Sequence, residues 1–161
     1  MGRALSSALA TIQRMETNTA ADLVSRVCGR NVLSLTRREH DWVLLLDGET
    51  QIVVACLWRL LEAGRVRLTS EDDGQRFGLP APIDAAGQAT LRISGHRVSR
   101  AELRAGTLDL DLHLDDDVVF QIIPDSAGYE AWQVCGPMGQ VIATGGGGLG
   151  AVRLLASRSA G

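Results

Sequence analysis

The acidic and imidazole side chains between residues 109 and 113 are the clearest candidates for chemistry. Asp109, Asp111 and His113 alternate with leucines, so a β-strand would place all three on one face. Carboxylates beside an imidazole can hold a metal ion or act as a general acid–base pair. Sites of the zinc type usually show two or three His or Cys residues at short fixed spacing, which this sequence lacks. We therefore expect a polar surface here, with no metal and no cofactor.

Two further motifs resemble parts of known ligand-binding loops but lack the other residues that those loops require. Asp115–Asp117 is an acidic run without the glycine and glutamate positions of an EF-hand loop, so we expect a solvated turn. The glycine run Gly145–Gly148 lacks the Lys-Ser/Thr of a P-loop, and residues 149–155 have the pattern of a strand. We expect these glycines to permit a bulge or a sharp reversal between strands.

Tyr129, Glu130 and Trp132 are candidates for contact with a partner. If residues 130–134 form a strand, Glu130 and Trp132 share one face and Tyr129 lies on the other. Trp132 is then either a core anchor or, if it points outward, an interface hot spot, because Trp and Tyr dominate such sites. Both interpretations also stay open for Tyr129.

Composition limits the possible functions. The chain has 161 residues, 45% of them apolar and 22% charged, which is typical of one globular domain. Its net charge of −3 argues against a nucleic-acid binder. All 16 basic residues are arginine, so lysine Schiff bases and P-loop lysines are excluded. We find no Gly-x-Ser-x-Gly nucleophile motif and expect no enzyme activity.

The sequence also predicts a location. Cys28, Cys56 and Cys135 are odd in number and lie in apolar surroundings, so we expect buried free thiols in a reducing compartment. No run of eighteen apolar residues is present, which predicts no membrane span, and the N-terminus lacks the dense apolar core of a signal peptide. We therefore expect a cytoplasmic protein.

The candidate residues must be positioned by helices first and strands afterwards. Helical spacing predicts a helix over residues 3–15, and Thr19 could begin a second helix that Gly29 ends. After this glycine the pattern changes to strands separated by turn residues. We predict strands over residues 31–35, 41–46, 50–57, 65–69, 89–93, 97–103, 107–114, 118–123, 130–134 and 149–155. Residues 58–63 are predicted to form a helical turn, and residues 70–88 a connector or flexible loop.

Two stretches of the chain are similar in pattern. Gly29-Arg30-Asn31-Val32 resembles Gly95-His96-Arg97-Val98, and each is followed by an apolar strand, an acidic turn and a buried strand. The offset between the stretches drifts by about two residues. We interpret them as two related β-meanders, at about residues 29–70 and 90–155. Chance similarity between amphipathic hairpins is the alternative.

The C-terminal segment carries a resemblance to a known family. Tyr-Glu-Ala-Trp-x3-Gly-x2-Gly, followed by the glycine run, is similar to the signature of an uncharacterised domain-of-unknown-function family that is common in actinobacteria. The resemblance covers roughly residues 29–155 and also includes the Gly-Arg-x-Val start. This chain departs from the family pattern at Gly145-Gly146, where a proline is expected, and at Val152, where tryptophan is frequent. The family implies no activity and no catalytic residues.

Together these observations predict an α+β protein that is mainly antiparallel β. One or two N-terminal helices, residues 1–28, precede a single β-rich domain at residues 29–161 that contains the two pseudo-repeated meanders. We expect a non-enzymatic protein-binding module, similar in style to immunity-like adaptors, with Tyr129 and Glu130 at its contact surface. One alternative is a small-ligand binder or enzyme with a pocket between the meanders, lined by His113, Asp111 and Arg100. A structural homodimer formed along an edge strand is the other.

Overall fold

The described residues form two α-helices and eleven strands. The computed structural model describes the backbone of residues 2–137 and 139–153, and the side chains in these ranges other than those of residues 2–6, 12–18 and 153. The helices are α1 (Gly2–Ser25) and α2 (Ala85–Ile93). The strands are β1 (Val32–Arg37), β2 (Trp42–Leu46), β3 (Thr50–Val54), β4 (Leu57–Glu62), β5 (Arg65–Thr69), β6 (Val98–Leu103), β7 (Leu110–Leu114), β8 (Val118–Ile123), β9 (Trp132–Gly136), β10 (Gly139–Ala143) and β11 (Leu149–Arg153). Short 3₁₀ turns cover Ser70–Asp72 and Gly145–Gly147.

The strands form two antiparallel sheets that exchange hairpins. The order is β1-β2-β3-β9-β10-β11 in the six-stranded sheet and β5-β4-β8-β7-β6 in the five-stranded sheet. We name β1–β5 the first unit and β6–β10 the second unit. Each unit places three strands in one sheet and passes its last hairpin to the other sheet. The predicted α+β class, mainly antiparallel with two related meanders, is therefore confirmed.

The two units meet at an antiparallel bridge between Asn31 and Arg97. The N–H of Gly29 donates to the carbonyl of Val98 (2.7 Å), and the N–H of Gly95 donates to the carbonyl of Val32 (2.9 Å). Both glycines have φ = +84°, a left-handed conformation that glycine adopts without steric cost. These reciprocal contacts give the similarity between the two Gly-x-x-Val stretches a structural basis.

The core lies between the sheets. Trp42 of the six-stranded sheet meets Trp58 of the five-stranded sheet edge to face, with ring centroids 5.1 Å apart. Trp58 also stacks on Phe120, at 5.3 Å. Aliphatic side chains that alternate along each strand fill the remaining interior, including Leu110, Leu112 and Leu114. The alternation predicted for residues 107–114 is confirmed within β7, but the strand begins only at Leu110. Leu108 is also buried, yet it lies in the preceding loop with φ = +62°.

The helices cover the open sides of this sandwich. The described part of α1 contributes Ala20, Leu23 and Val24 to the core, and α1 packs on β6, β10 and β11. Ala85, Ala89 and Ile93 of α2 are buried, and α2 packs on β1 and β5. The hydroxyl of Thr90 in α2 accepts from the Leu35 N–H (2.9 Å) and contacts the Leu35 carbonyl (3.1 Å), so it satisfies backbone groups on an edge strand. Within the described residues, neither helix combines the length and apolarity needed to cross a bilayer.

Several local predictions were wrong. Residues 89–93 belong to α2, not to a strand, and residues 58–62 belong to β4, not to a helical turn. One continuous helix replaces the two that were predicted at the N-terminus, and it ends at Ser25, before the turns that lead to Gly29. The end of the strand predicted at 149–155, residues 154 and 155, lies outside the described residues.

The cysteines differ from the prediction in their burial. All three are free. Cys56 is buried, Cys135 is half-buried and Cys28 is exposed, so only one of the three belongs to the core.

Candidate functional site

The structure divides the six predicted site residues among three places. Tyr129 and Glu130 lie on the segment that joins β8 to β9, where Tyr129 is 80% exposed. Trp132 begins β9 and is buried in the core. The remaining three, Arg100, Asp111 and His113, come together on the outer face of the five-stranded sheet, away from the space between the units.

Tyr129 and Glu130 border a groove where the two units exchange their hairpins. Residues 55–56 join β3 to β4, and residues 124–131 join β8 to β9, so both connections pass from one sheet to the other. The N–H of Ala55 donates to the carbonyl of Ala131 (2.8 Å), which holds the two connections together. The groove therefore exists because of the hairpin exchange.

Two adjoining pockets make up this crossover groove. The first, of about 320 Å³, is lined by Ala55, Cys56, Asp125, Ser126, Tyr129, Glu130 and Ala131. The second, of about 360 Å³, is lined by Arg37, His40, Trp42, Ala55, Cys56, Leu57, Ser70, Glu71, Asp73, Gln75 and Asp125. Ala55, Cys56 and Asp125 line both pockets. The surface of the first pocket is mainly apolar, whereas that of the second is mainly polar.

The side chains that line the crossover groove are predominantly negative in charge. Carboxylates of Glu71, Asp73, Asp125 and Glu130 line the two pockets, and Arg37 supplies their single guanidinium. Arg37 lies over the ring of Trp42, 4.7 Å from its centroid, which holds this cation at one end of the groove. Such a distribution favours ligands that carry positive charge.

Cys56 is not suited to act as a nucleophile. Burial, and to a smaller extent the nearby Asp125 carboxylate, raise the pKa of the Cys56 thiol to about 12. Because the thiolate is the reactive form, a thiol with this pKa is inert near neutral pH. Cys56 therefore contributes a neutral, unreactive side chain to the groove.

The glycine run supports the segment that carries Tyr129. A Cβ atom at Gly145 would lie 2.6 Å from the backbone carbon of Gly128 and 2.8 Å from the Ala127 carbonyl oxygen. A Cβ at Gly147 would lie 2.7 Å from the carbonyl oxygen of Gly106. Both positions are too close to the neighbouring backbone for a side chain, so the run packs against the protein's own loops. The Ser126 hydroxyl adds order by accepting from the Tyr129 N–H (3.2 Å).

Trp132 anchors the start of β9 from within the core. It is 1% exposed, and its indole Nε1–H donates to the carbonyl of Leu108 at 2.8 Å. Its ring therefore fixes the position at which the exposed Tyr129 segment re-enters the sheet.

The outer face of the five-stranded sheet carries a second polar cluster. Glu102 lies directly opposite Asp111 across the β6–β7 pair, and Arg100 lies opposite His113. The Nε2 atom of His113 is 3.1 Å from Oε2 of Glu102 and 3.3 Å from the Arg100 guanidinium. The side-chain amide of Gln121 on β8 donates to Asp111 (3.2 Å).

Sequence reasoning missed residues in both places. Glu102 completes the cluster on the five-stranded sheet. A signal in the sequence could have identified it: Arg100 and Glu102 alternate on one strand of a hairpin, and Asp111 and His113 alternate on the other. Asp125 and Cys56 belong to the crossover groove. No local pattern marks them, because the groove arises from connections that are distant in sequence.

These features define the class of the protein. It is an α+β sandwich of two related five-stranded units that exchange hairpins, with a groove at the exchange. Residues 24–153 match the model of a family described as "Family of unknown function (DUF6188)", and the chain belongs to this family. The sequence resemblance to a domain-of-unknown-function family is thereby confirmed at that level. No curated protein and no solved structure matched the chain.

Proposed function

We propose that this protein is a non-enzymatic binding module that holds a positively charged segment of a protein partner in the crossover groove. The observation that carries this proposal is the composition of the groove. Four carboxylates, those of Glu71, Asp73, Asp125 and Glu130, line the groove together with one arginine, beside a mainly apolar pocket that Tyr129 borders. A partner segment with arginine or lysine beside apolar residues complements both properties.

The exposed aromatic and aliphatic side chains near the groove support a protein as the partner. Tyr129 lines the groove and is 80% exposed. The loop that follows Gln75 is closed by hydrogen bonds from the Gly74 N–H to the Ile83 carbonyl and from the Ile83 N–H to the Gln75 carbonyl, both 2.8 Å. This loop exposes Phe77 and Leu79, 70% and 51% accessible. Exposed rings of this kind are the usual anchors of protein interfaces.

The chemistry of the groove supports a non-enzymatic role. The thiol of Cys56 stays protonated near neutral pH because burial raises its pKa to about 12. The imidazole of His40 lies 3.6 Å from the neighbouring Glu39 carboxylate and is exposed. General acid–base catalysis needs a group poised against a substrate in a pocket that excludes water, and this exposed pair does not provide one.

A small cationic ligand is the second candidate, and the size of the groove favours it. Pockets of about 320 and 360 Å³ fall in the range that small molecules occupy. In this alternative the carboxylates would bind an amine or guanidinium, and Phe77 and Leu79 would have no role in binding.

Further expectations belong to this proposal. The free thiols of the three cysteines are consistent with a cytoplasmic protein. We also propose that the Tyr-Glu-Ala-Trp motif and the glycine run are a signature of the family and help to build the groove. We further propose that the protein comes from an actinobacterium. Homodimer formation along an edge strand stays a prediction, which sedimentation velocity over a range of concentrations would test.

Selection from a random-peptide phage library on the immobilised protein tests the proposal. We expect enrichment of peptides with arginine or lysine next to apolar residues. The enriched peptides should lose at least about tenfold in affinity against Asp125→Arg and Tyr129→Ala, because charge repulsion and loss of an anchor both act on bound peptide. Asp116→Arg is the matched control, since Asp116 is exposed on the β7–β8 turn outside the groove.

The two candidates give different results. Peptides without basic residues, or peptides whose affinity is the same for Asp125→Arg and Asp116→Arg, would overturn the protein-binding proposal. Thermal shift measurements with arginine, agmatine and spermidine test the alternative. The small ligand would be favoured if one of these compounds raises the melting temperature of the original protein and of Phe77→Ser but not that of Asp125→Arg.

A further inference from the structure

A divalent metal site can be assembled on the outer face of the five-stranded sheet, apart from the crossover groove. One oxygen of Glu102, one oxygen of Asp111 and one imidazole nitrogen of His113 lie within 4.8 Å of one another. Ligand atoms that share a zinc ion lie about 2.0–2.2 Å from it, so modest side-chain rotation brings these three atoms to a common centre. We propose that Glu102, Asp111 and His113 bind one divalent transition-metal ion of the Zn²⁺ type.

The sheet holds these three residues on a rigid surface. Asp111 and His113 alternate with Leu110, Leu112 and Leu114, which are buried on the opposite face of β7. The register of β6 then places Glu102 directly opposite Asp111. Ligands on paired strands are positioned more precisely than ligands on loops.

The Asp111 carboxylate is oriented by a chain of side chains behind it. The Gln121 amide nitrogen donates to Asp111 at 3.2 Å. The Arg59 guanidinium in turn donates to the Gln121 oxygen, at 2.7 and 3.1 Å. This fixes which end of the amide faces Asp111. Such outer hydrogen bonds orient metal ligands and support their affinity.

Charge and space both favour a cation at this position. The carboxylates of Glu102 and Asp111 lie directly opposite each other across the strand pair, where like charges repel and a cation relieves the repulsion. The neighbouring Asp109 carboxylate is already paired with Arg104, at 2.7 Å. A depression of about 350 Å³ is lined by Leu103, Arg104, Asp109 and two of the three ligands, Glu102 and Asp111. It leaves room for the water molecules that complete the coordination of a metal with three protein ligands.

Arg100 is the competitor for this site. Its guanidinium lies 3.3 Å from Nε2 of His113 and 3.0 Å from a Glu102 oxygen. The side chain of Arg100 is 61% exposed, so it can turn into solvent at small cost. Removing the guanidinium should strengthen metal binding. If the cluster served only as a salt-bridge ladder, the same change would bring no metal affinity.

Isothermal titration calorimetry with ZnCl₂ tests the proposal. The full chain carrying Cys28→Ser serves as the background, because the exposed thiol of Cys28 would otherwise bind zinc. We expect one Zn²⁺ per chain, a loss of about tenfold or more in affinity for His113→Ala and for Asp111→Asn, and tighter binding for Arg100→Ala. Asp116→Asn is the matched control, since the Asp116 carboxylate is exposed and lies outside both the cluster and the crossover groove.

Two results would overturn the inference. One is the absence of Zn²⁺ binding at millimolar concentration in both the background protein and Arg100→Ala. The other is binding of equal strength in the background protein and His113→Ala. Visible absorption of bound Co²⁺ gives a second readout, because its band should disappear in His113→Ala and persist in Asp116→Asn. Circular dichroism of each variant confirms that the fold is retained.

Discussion

Trp58 and Trp132 occupy equivalent places in the two units but have different polar environments. Trp58 lies opposite Ile122 of β8, and Trp132 lies opposite Val54 of β3. Both rings are buried. The Trp132 N–H donates to the carbonyl of Leu108 at 2.8 Å, whereas the buried Trp58 N–H has no hydrogen-bond partner among the described residues.

The difference follows from the length of one loop. In the first unit the turn from β1 to β2 is closed between Arg38 and Asp41, whose backbone N–H and carbonyl lie 2.8 Å apart. In the second unit the corresponding pair is Arg104 and Asp109, at 2.9 Å. Each arginine also forms a salt bridge with its aspartate. The second loop has two more residues and includes Leu108, so it supplies the carbonyl that the first loop lacks.

The outer faces of the two sheets differ as well. On the outer face of the six-stranded sheet, two rows of side chains that cross the strands contain no charged residue. The first row is Ser34, Leu45, Gln51, Cys135, Gln140 and Val152. The second row is Thr36, Val43, Val53, Gln133, Ile142 and Gly150. The corresponding rows of the five-stranded sheet contain Arg59, Glu102, Asp111, His113 and Arg100. The inward residues determine the fold, so the outward residues of each sheet can serve separate purposes.

The largest expected effect comes from truncating either indole ring. Trp58→Ala and Trp132→Ala should each lower the free energy of unfolding by about 3–5 kcal/mol, because each removes a large buried ring and leaves a cavity. Chemical denaturation measures this change. Leu91→Ala, at an 87% exposed position on α2, is the control and should stay within about 0.5 kcal/mol of the original protein. A much smaller loss of unfolding free energy at only one of the two tryptophans would show that the two positions are not equivalent.

A milder pair of variants sharpens the comparison. Trp132→Phe should cost about 1–3 kcal/mol more than Trp58→Phe, because it leaves the Leu108 carbonyl without its donor. Trp58→Phe instead removes a buried N–H that has no partner in the described structure. Urea titration of both proteins gives the difference. Equal costs would show that the loop carbonyl contributes nothing to the stability of the second unit.

The smallest expected effect tests the symmetry at the bridge between the units. Gly29→Ala and Gly95→Ala should each cost about 1–2 kcal/mol, since both positions have φ = +84° and alanine is strained there. The two costs should be similar, because a Cβ at Gly29 meets only an ordinary contact with Arg97 at 3.5 Å and a Cβ at Gly95 meets open space. Gly128→Ala is the control, where the space is also open and φ is not positive. Unequal decreases in the melting temperature of the two variants would mean that the two glycines contribute differently to stability.

The local features of the fold could be predicted because they depend on neighbouring residues. The alternation from Leu110 to Leu114 gave the correct inward face, and the two Gly-x-x-Val stretches gave the correct repeat. Helix α2 was missed because its nine residues include Gly87 and the β-branched Thr90 and Ile93, which suit a strand equally well. The signal for the helix was Asp84, whose carboxylate accepts from the Gly87 N–H as an N-cap.

The candidate sites could be predicted only in part. Asp111, His113 and Arg100 were identified as one polar group, but not as part of the outer face of a sheet. Glu102 was missed because its position depends on the register between β6 and β7. Tyr129 and Glu130 were identified from their types, whereas their groove partner Asp125 became apparent only from the pockets.

The sequence by itself determined the antiparallel class, the repeat, the inward faces of the strands and the glycine turns. Each of these follows from side-chain periodicity or from backbone conformations that only glycine adopts readily. The tertiary structure alone decided that β4–β5 and β9–β10 exchange sheets, and with that exchange the position of the crossover groove. Pairings such as Arg59 with Gln121 join residues far apart in the chain, and their energy depends on packing across the whole sandwich. No local pattern contains that information.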